Sequence, residues 1–495
     1  MGQIPTTSSA SPVGAPASGP AQWPAPPPPR AMAGAREQVR AAAGPDRRLL
    51  VIDDDATGSQ AVHDVSVLLS FDIDQLGEAF RAPGSCAFVL TNSRSLDSVQ
   101  AARSNREIAR SALEYCRSAG MQLSIVSRSD STLRGHLFDE VNALNEAHRD
   151  VMGRDYDAVL LAPAYFEAGR VTAGDTHWAK VAGNFVPVGE TEFARDTTFG
   201  YAASDLRQFI AEKSSGRVGA ADVVSIGIED IRTGGPERVS ELLTGLEGRQ
   251  FVVVNGLEYG DYEVVALAAA RLEASGKAWL YRTAPSFVPV LAGLAEIAPL
   301  SSAQIWRDGK RPGHGLVVVG SHTGLTNQQV RYAAVHHPLI EVELDVNKVV
   351  DPASRSQHVE EVAGRVAASL EHADVLLITS RSLVASSGEN SIGDSQGLAV
   401  SRLVSVAITD ALGPLRGNEP AWVIAKGGIT SHDVAVQGFG IRRAVVAGQI
   451  SRGIISVFQP VVAAAGAVGM PYVVFAGNVG NEESLSEAID RLEAG

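Results

Sequence analysis

Leu49-Leu50-Val51-Ile52-Asp53-Asp54-Asp55-Ala56-Thr57-Gly58 is an apolar run that stops abruptly in three acids and a glycine. Four consecutive apolar residues closed by a polar turn suit a strand covered on both faces. The pattern then recurs. Residues 65–71 and 86–91 are further strand candidates. Residues 96–119 place apolar and small side chains at helical spacing, and 122–126 is a strand that runs into polar residues. Stretches 158–162, 223–228, 251–254 and 279–281 continue the series. Strands alternating with helical segments predict a parallel sheet with crossover helices.

A second series starts at residues 316–319, which end in Gly320-Ser321-His322-Thr323 and lead into a helix over 327–335. Residues 375–378 end in Thr379-Ser380-Arg381, 422–425 in Lys426-Gly427-Gly428-Ile429-Thr430, and 472–475 in Ala476-Gly477-Asn478-Val479-Gly480. An amphipathic helix over 482–492 closes the chain. The polar stretch 301–315 reads as a linker whose one large apolar residue, Trp306, docks onto a domain. The expected fold is α/β: two α/β domains, 47–305 and 314–495, with largely parallel sheets, separate cores and a cleft between them. Residues 1–46 are crowded with Ala, Pro, Ser and Gly and read as a dispensable disordered tail.

Composition narrows the function. The chain has 495 residues, with 42 Lys and Arg against 56 Asp and Glu, a net charge of −14. That balance argues against a general nucleic-acid binder, which needs basic surface. The two cysteines, Cys86 and Cys116, make no disulfide framework and show no zinc spacing, which fits a reducing cytoplasm. The start lacks the basic-then-apolar pattern of a secretory signal. Residues 453–481 carry no charge, but Gln459, Pro460, Pro471 and Asn478 interrupt them, so they read as core strands rather than a membrane span. A homodimer is compatible with this picture; a membrane partner is not expected.

Ligands of open α/β sheets bind beyond the carboxyl ends of the strands. In the first half those ends are Asp53-Asp54-Asp55, Thr91-Asn92-Ser93-Arg94 and Ser129-Asp130-Ser131-Thr132-Leu133-Arg134-Gly135. Carboxylates accept from sugar hydroxyls or take their protons, and guanidinium groups fork onto a carboxylate, so the mixture suits a hydroxy acid. In the second half the ends are rich in Gly, Ser and Thr, which suits phosphates. An acid in one half and a polyphosphate in the other make phosphoryl transfer the natural combination. The competing readings are ordinary: aspartates as helix caps, Arg94 in a surface ion pair, glycines as turns. There is no GxxxxGK[ST] loop, no H-R-D with D-F-G, and no histidine pair at ligand spacing.

The run Ile52–Gly58, written 52–58, with Asp130-Ser131-Thr132-Leu133-Arg134-Gly135 and Ala162-Pro163-Ala164-Tyr165-Phe166-Glu167-Ala168-Gly169-Arg170, resembles the four-carbon acid sugar kinases. The resemblance implies a sugar acid in the N-terminal domain and ATP with Mg2+ in the C-terminal one. It implies that Asp54, Asp55 and Asp130 bind hydroxyls, one of them orienting or deprotonating the nucleophile, and that Arg94 and Arg134, beside Ser131 and Gly135, hold the carboxylate. It places the nucleotide at Ser321 and Thr323, at Lys426, Gly427, Gly428, Ile429 and Thr430, and at Gly477 and Asn478. The metal ligands stay unassigned. Two positions depart from the family pattern: Ile429, where many members carry Asp, and Ser127-Arg128, where many carry a basic pair. Two other readings compete. Asp53-x-Asp55-x-Thr57 also spells the D-x-D-x-T of haloacid-dehalogenase-type phosphatases, and Ile429 would suit a sensor that has lost turnover.

Overall fold

In this computed structural model the strands of both halves join one 15-stranded sheet. The structure describes residues 26–494, apart from 56–57, 60, 308, 321–322, 381–393 and 478. From one edge to the other the strands begin at Ile340, Val375, Leu316, Val423, Tyr472, Ile455, Arg443, Val65, Cys86, Arg47, Gln122, Trp279, Ala158, Gln250 and Val224. Apart from Arg443–Ser451 and Ile455–Val462, the strands of this sheet pair in parallel within each half, as the strand–helix alternation predicts.

The strand Arg47–Asp53 shows why its sequence reads as it does. Leu49 and Val51 point into the core on one face, while Leu50 and Ile52 point into the core on the other. A strand buried on both sides has no polar face to alternate with. It lies between Cys86–Leu90 and Gln122–Arg128, in a register that sets Asp53 opposite Leu90 and Arg128. The helices Ser98–Ser118 and Leu137–Met152 cover one face, and Tyr259–Ala274 covers the other. Asp97 caps the first of these by accepting from the Gln100 amide at 2.8 Å. The helix Leu137–Met152, the strand Ile340–Leu344 and a small antiparallel sheet, Arg170–Ala173, Thr176–Val181 and Asn184–Pro187, are elements that the sequence reading passes over.

The halves are joined by an antiparallel hairpin, Arg443–Ser451 and Ile455–Val462, contributed by the second half. Its first strand pairs with Val65–Leu68 of the first half, and its second with Tyr472–Phe475. Pro460 sits opposite Ala444 beside a register shift, where a missing N–H is tolerated. The expectation of separate cores fails for this reason: Val65 and Val67 of the first half and Ala444 and Val446 of the second belong to one apolar cluster. Trp306 does dock, buried against the second half, with its indole N–H donating to the Leu492 carbonyl at 3.0 Å.

The expectation for residues 1–46 also needs correction where they are described. Ala35–Ala43 is a helix lying against Tyr259–Ala274. Ala35, Val39 and Ala43 are buried, and Arg36 donates to the Leu294 carbonyl at 2.6 Å and to Glu263 at 3.0 Å. The Pro-rich run upstream hides a short amphipathic turn whose apolar stripe is mostly alanine. Val39→Ala is therefore expected to cost about 1–3 kcal/mol of stability. Urea unfolding of that variant, and of a chain starting at Pro45, checks this; midpoints matching the full chain would show that the helix packs without contributing.

Candidate active site

Register brings the acids and bases together. Asp53 ends its strand with no solvent exposure, and its Oδ1 accepts from Arg128 at 2.9 Å and from the Asp55 amide at 3.0 Å. Burial nevertheless pushes the Asp53 carboxyl up to about 6, against the pull of Arg128. A Cβ on Gly58 would overlap the Asp53 carboxylate, so only glycine lets the acidic loop fold back over the strand end. Asp54 is also buried. Its Oδ1 lies 3.3 Å from Arg94 Nε, yet neither oxygen has a hydrogen-bond partner among the described residues. Burial, offset in part by Arg94 and Arg128 and reinforced by Glu140 and Asp53, raises the Asp54 carboxyl to about 8.

The turn from Ser129 to Gly135 is tied down on several sides. Leu133 has φ 66° and Gly135 φ 120°, so the chain reverses tightly there. His177 Nε2 donates to the Ser131 carbonyl at 2.8 Å, and Thr172 Oγ1 lies 2.9 Å from its Nδ1. A carbonyl only accepts, so Nε2 carries the proton; burial pushes the imidazole down to about 4 and keeps it neutral. The Tyr201 hydroxyl donates to the Thr132 carbonyl at 2.6 Å. Asp130 accepts from Arg134 Nε at 2.7 Å and from the Thr132 hydroxyl. Burial alone would raise this carboxyl, but Arg94, Arg134 and those hydrogen bonds hold it well below the usual carboxylate range.

Arg94 is the hub of the first half-site. It pairs with Asp55, lies 3.3 Å from Asp54 and stands 3.8 Å from Asp130. The three predicted acids are thus brought to one guanidinium, and Gly135 joins them, since a Cβ there would lie 3.1 Å from Asp54 Oδ2. Access separates them: the Asp55 side chain is 24% exposed and that of Asp130 14%, while that of Asp54 is 2%. Arg128, His177, Glu140 and Arg282 were not singled out from sequence. Arg282 pairs with Glu140 and donates to Ser127 Oγ at 2.6 Å beneath the site. Only Arg128 gave a signal, as the base two residues before Asp130.

In the second half, the strands Leu316–Val319, Val423–Lys426 and Tyr472–Phe475 are neighbours. Their carboxyl ends therefore lie side by side. Thr323 Oγ1 donates to the Gly477 carbonyl at 3.0 Å and caps the helix Gly324–His336 through the Thr326 amide. A Cβ on Gly320 would overlap the Thr430 hydroxyl. Gly427 has φ 119°, whereas Gly428 and Gly477 are not in the left-handed region. Lys426 is fully buried with no acid partner among the described residues. Its ammonium lies 3.6 Å above the Phe475 ring and donates to the Ala476 carbonyl at 3.1 Å. Burial pushes it down to about 7. Ile429 is 45% exposed. Ser321 and Asn478 lie outside the described residues.

The two half-sites face each other across the sheet. A Cβ built on Gly428 would lie 3.1 Å from Asp55 Oδ1, so the glycine turn of one half abuts the acid of the other. Asp53, the nucleophile position of the phosphatase reading, lies beneath this contact, unexposed and paired with Arg128. Burial and the ion pair count against the exposed nucleophile that this reading needs.

The buried acids give the ligand-free protein a pH signature. Asp53 and Asp54 hold their protons to higher pH when folded than when unfolded, so at these two positions the folded state binds more protons from about 4 to 8. Their contribution is fully present below the unfolded value and is lost as pH rises through the folded ones. Because His177 and Lys426 titrate in the opposite sense, the acid's part is read as a difference: the stability advantage of wild type over Asp54→Asn, measured by urea unfolding, should shrink as pH rises from about 4 to 8. A parallel profile for the variant would mean that Asp54 is ionised in the folded protein.

Comparison with known proteins bears on this geometry directly. Two family models match the chain: a sugar-binding N-terminal domain over residues 49–291 and a nucleotide-binding C-terminal domain over residues 316–485. A D-threonate kinase from Salmonella typhimurium is 28% identical over 342 residues, which span 68% of this chain and 72% of that protein. A D-erythronate kinase from Heliobacterium modesticaldum is 27% identical over 336 residues, 66% of this chain and 68% of that one. A crystal structure from Salmonella typhimurium shares the fold, with a TM-score of 0.64 and 18% identity over 89% of this chain and 98% of the other. The acid-and-arginine site lies within the first matched domain and the glycine turns within the second, and the chain belongs to the four-carbon acid sugar kinase family.

Proposed function

We propose that the protein transfers the γ-phosphoryl group of ATP to a terminal hydroxyl of a four-carbon sugar acid of the threonate, erythronate or 3-oxo-tetronate type. The observation that carries this reading is the approach of Gly428 to Asp55. A phosphate lying against the Gly427-Gly428 turn would meet an acceptor hydroxyl held at Asp55, as in-line transfer requires. Phosphoryl transfer needs positioning and charge neutralisation more than covalent help, and both half-sites supply them.

Access divides the work among the acids. Asp130, held ionised by its arginines, accepts hydrogen bonds from substrate hydroxyls but is a weak base. Asp54 is screened from substrate and positions Arg94. Asp55 is both reachable and closest to the phosphate side, so it orients the acceptor hydroxyl and receives its proton. The turns at 320–324, 426–430 and 476–480 contain no acid. A magnesium ion arriving on the nucleotide would therefore be held on that side by phosphate and water oxygens, with no carboxylate offered by those turns. When bound it would neutralise charge on the phosphates.

Asp55→Asn is expected to lower kcat by roughly 10²–10⁴-fold, the range for a positioned base, with nucleotide affinity kept. A variant with normal kcat would move the role to Asp130. Lys426 offers a second check. Near neutral through burial, it should be largely unprotonated at pH 8 in the free protein, and a bound polyphosphate should restore its proton. Calorimetry of a non-hydrolysable ATP analogue in buffers of different ionisation enthalpy should detect proton uptake at pH 8 that Lys426→Met abolishes. Equal uptake by the variant would place the phosphates away from Lys426.

A further inference from the structure

Arg170 opens the small antiparallel sheet, at the end of the Ala162-to-Arg170 run. Its guanidinium has neither a carboxylate nor a hydrogen-bond partner among the described residues, and its Nε is buried. What surrounds it is aromatic: it lies 5.7 Å from the centroid of Phe193 and 6.0 Å from that of Tyr165. Arg134 lies against the same Phe193 ring, at 5.3 Å. Two cations thus flank one phenyl group beside Asp130. Burial holds the Arg170 guanidinium below its ordinary value, and the attraction of Asp130 does not restore it. A partly buried cation without a counter-charge is unfavourable in the free protein and becomes favourable once an anion fills the gap.

Arg94, by contrast, is already matched by Asp54, Asp55 and Asp130. A substrate carboxylate arriving there would face three acids. Arg134 is likewise matched, by Asp130 at 2.7 Å and Asp196 at 3.7 Å. We propose that Arg170, beside it on Phe193, is the cation that receives the carboxylate of the acid substrate and so sets the preference for an acid over a neutral polyol. The inference rests on the kinase reading for the identity of the anion. In that arrangement the carboxylate end sits at Phe193 and the reacting hydroxyl points past Asp130 towards Asp55. Arg94 then organises the acids instead of clamping the substrate, which revises the role expected from sequence.

Calorimetric binding of a four-carbon sugar acid and of the uncharged four-carbon polyol, to the wild-type protein, Arg170→Met and Arg170→Lys, tests this, with steady-state kinetics alongside. Arg170→Met should weaken acid binding roughly 10- to 100-fold, as loss of a charge-assisted pair does, while leaving polyol binding and the KM for ATP unchanged. Arg170→Lys, which keeps charge but not the fork, should fall between. In the absence of ligand Arg170→Met should melt no lower than wild type, because it removes an uncompensated charge; a merely structural arginine would lower the melting temperature. A wild type that binds acid no better than polyol, or a Met variant that loses both equally, would overturn the assignment. Failure of the wild type to phosphorylate any four-carbon acid while binding it through Arg170 would instead sink the kinase reading alone.

Discussion

The hairpin Arg443–Ser451 and Ile455–Val462 is the constraint on which the site depends. By pairing with Val65–Leu68 on one side and Tyr472–Phe475 on the other, it makes two parallel sheets into one. Each sheet would by itself present its strand ends to whatever lay beyond. Joined, they present Asp55 and Gly428 to each other. Further ties cross the same boundary: the Tyr165 hydroxyl donates to the Gly453 carbonyl, and Ser456 Oγ to the Ser59 carbonyl at 3.2 Å. A free hinge between independent domains would leave the distance between donor and acceptor phosphate sites to chance. Here much of that positioning is built into backbone hydrogen bonds.

Charge is arranged with the same economy. The acids at the strand ends would repel one another in a low-dielectric site, and Arg94 and Arg128 each neutralise a different part of the cluster. The result is a graded set: Asp130 strongly ionised, Asp53 and Asp54 pushed towards neutrality by burial, and Asp55 at the open edge. On the opposite side, burial pushes Lys426 down to about 7. Arg170 is the corresponding case in the first half. Each half therefore contains a wholly or partly buried cation with no carboxylate partner among the described residues.

Much of this could be read from the sequence, because strands buried on both faces are continuous apolar runs and their ends are where polar residues cluster. Asp53 to Asp55, Arg94 and the turn from Asp130 to Gly135 converge as their placement at successive strand ends requires. The joining hairpin was not legible. Its pairing with Val65–Leu68 links residues nearly four hundred apart, and the uncharged stretch 453–481 that contains its second strand resembles any core strand. The helix Ala35–Ala43 was hidden by alanine, whose apolar stripe looks like low-complexity sequence until it finds a partner. His177 lies in a hairpin remote from the acids in sequence, and only tertiary structure sets it against Ser131. The number of acids around Arg94 was hidden for a related reason: spacing shows that an arginine is near acids, not how many of them it must satisfy.

If the two half-sites act on each other's ligands, phosphorus NMR of the full-length protein with ATP, magnesium and individual four-carbon sugar acids should show a new phosphate-ester resonance on at least one acid, growing in step with ADP and without free inorganic phosphate. ADP appearing with inorganic phosphate instead of an ester, or no ADP with any of these acids, would contradict it.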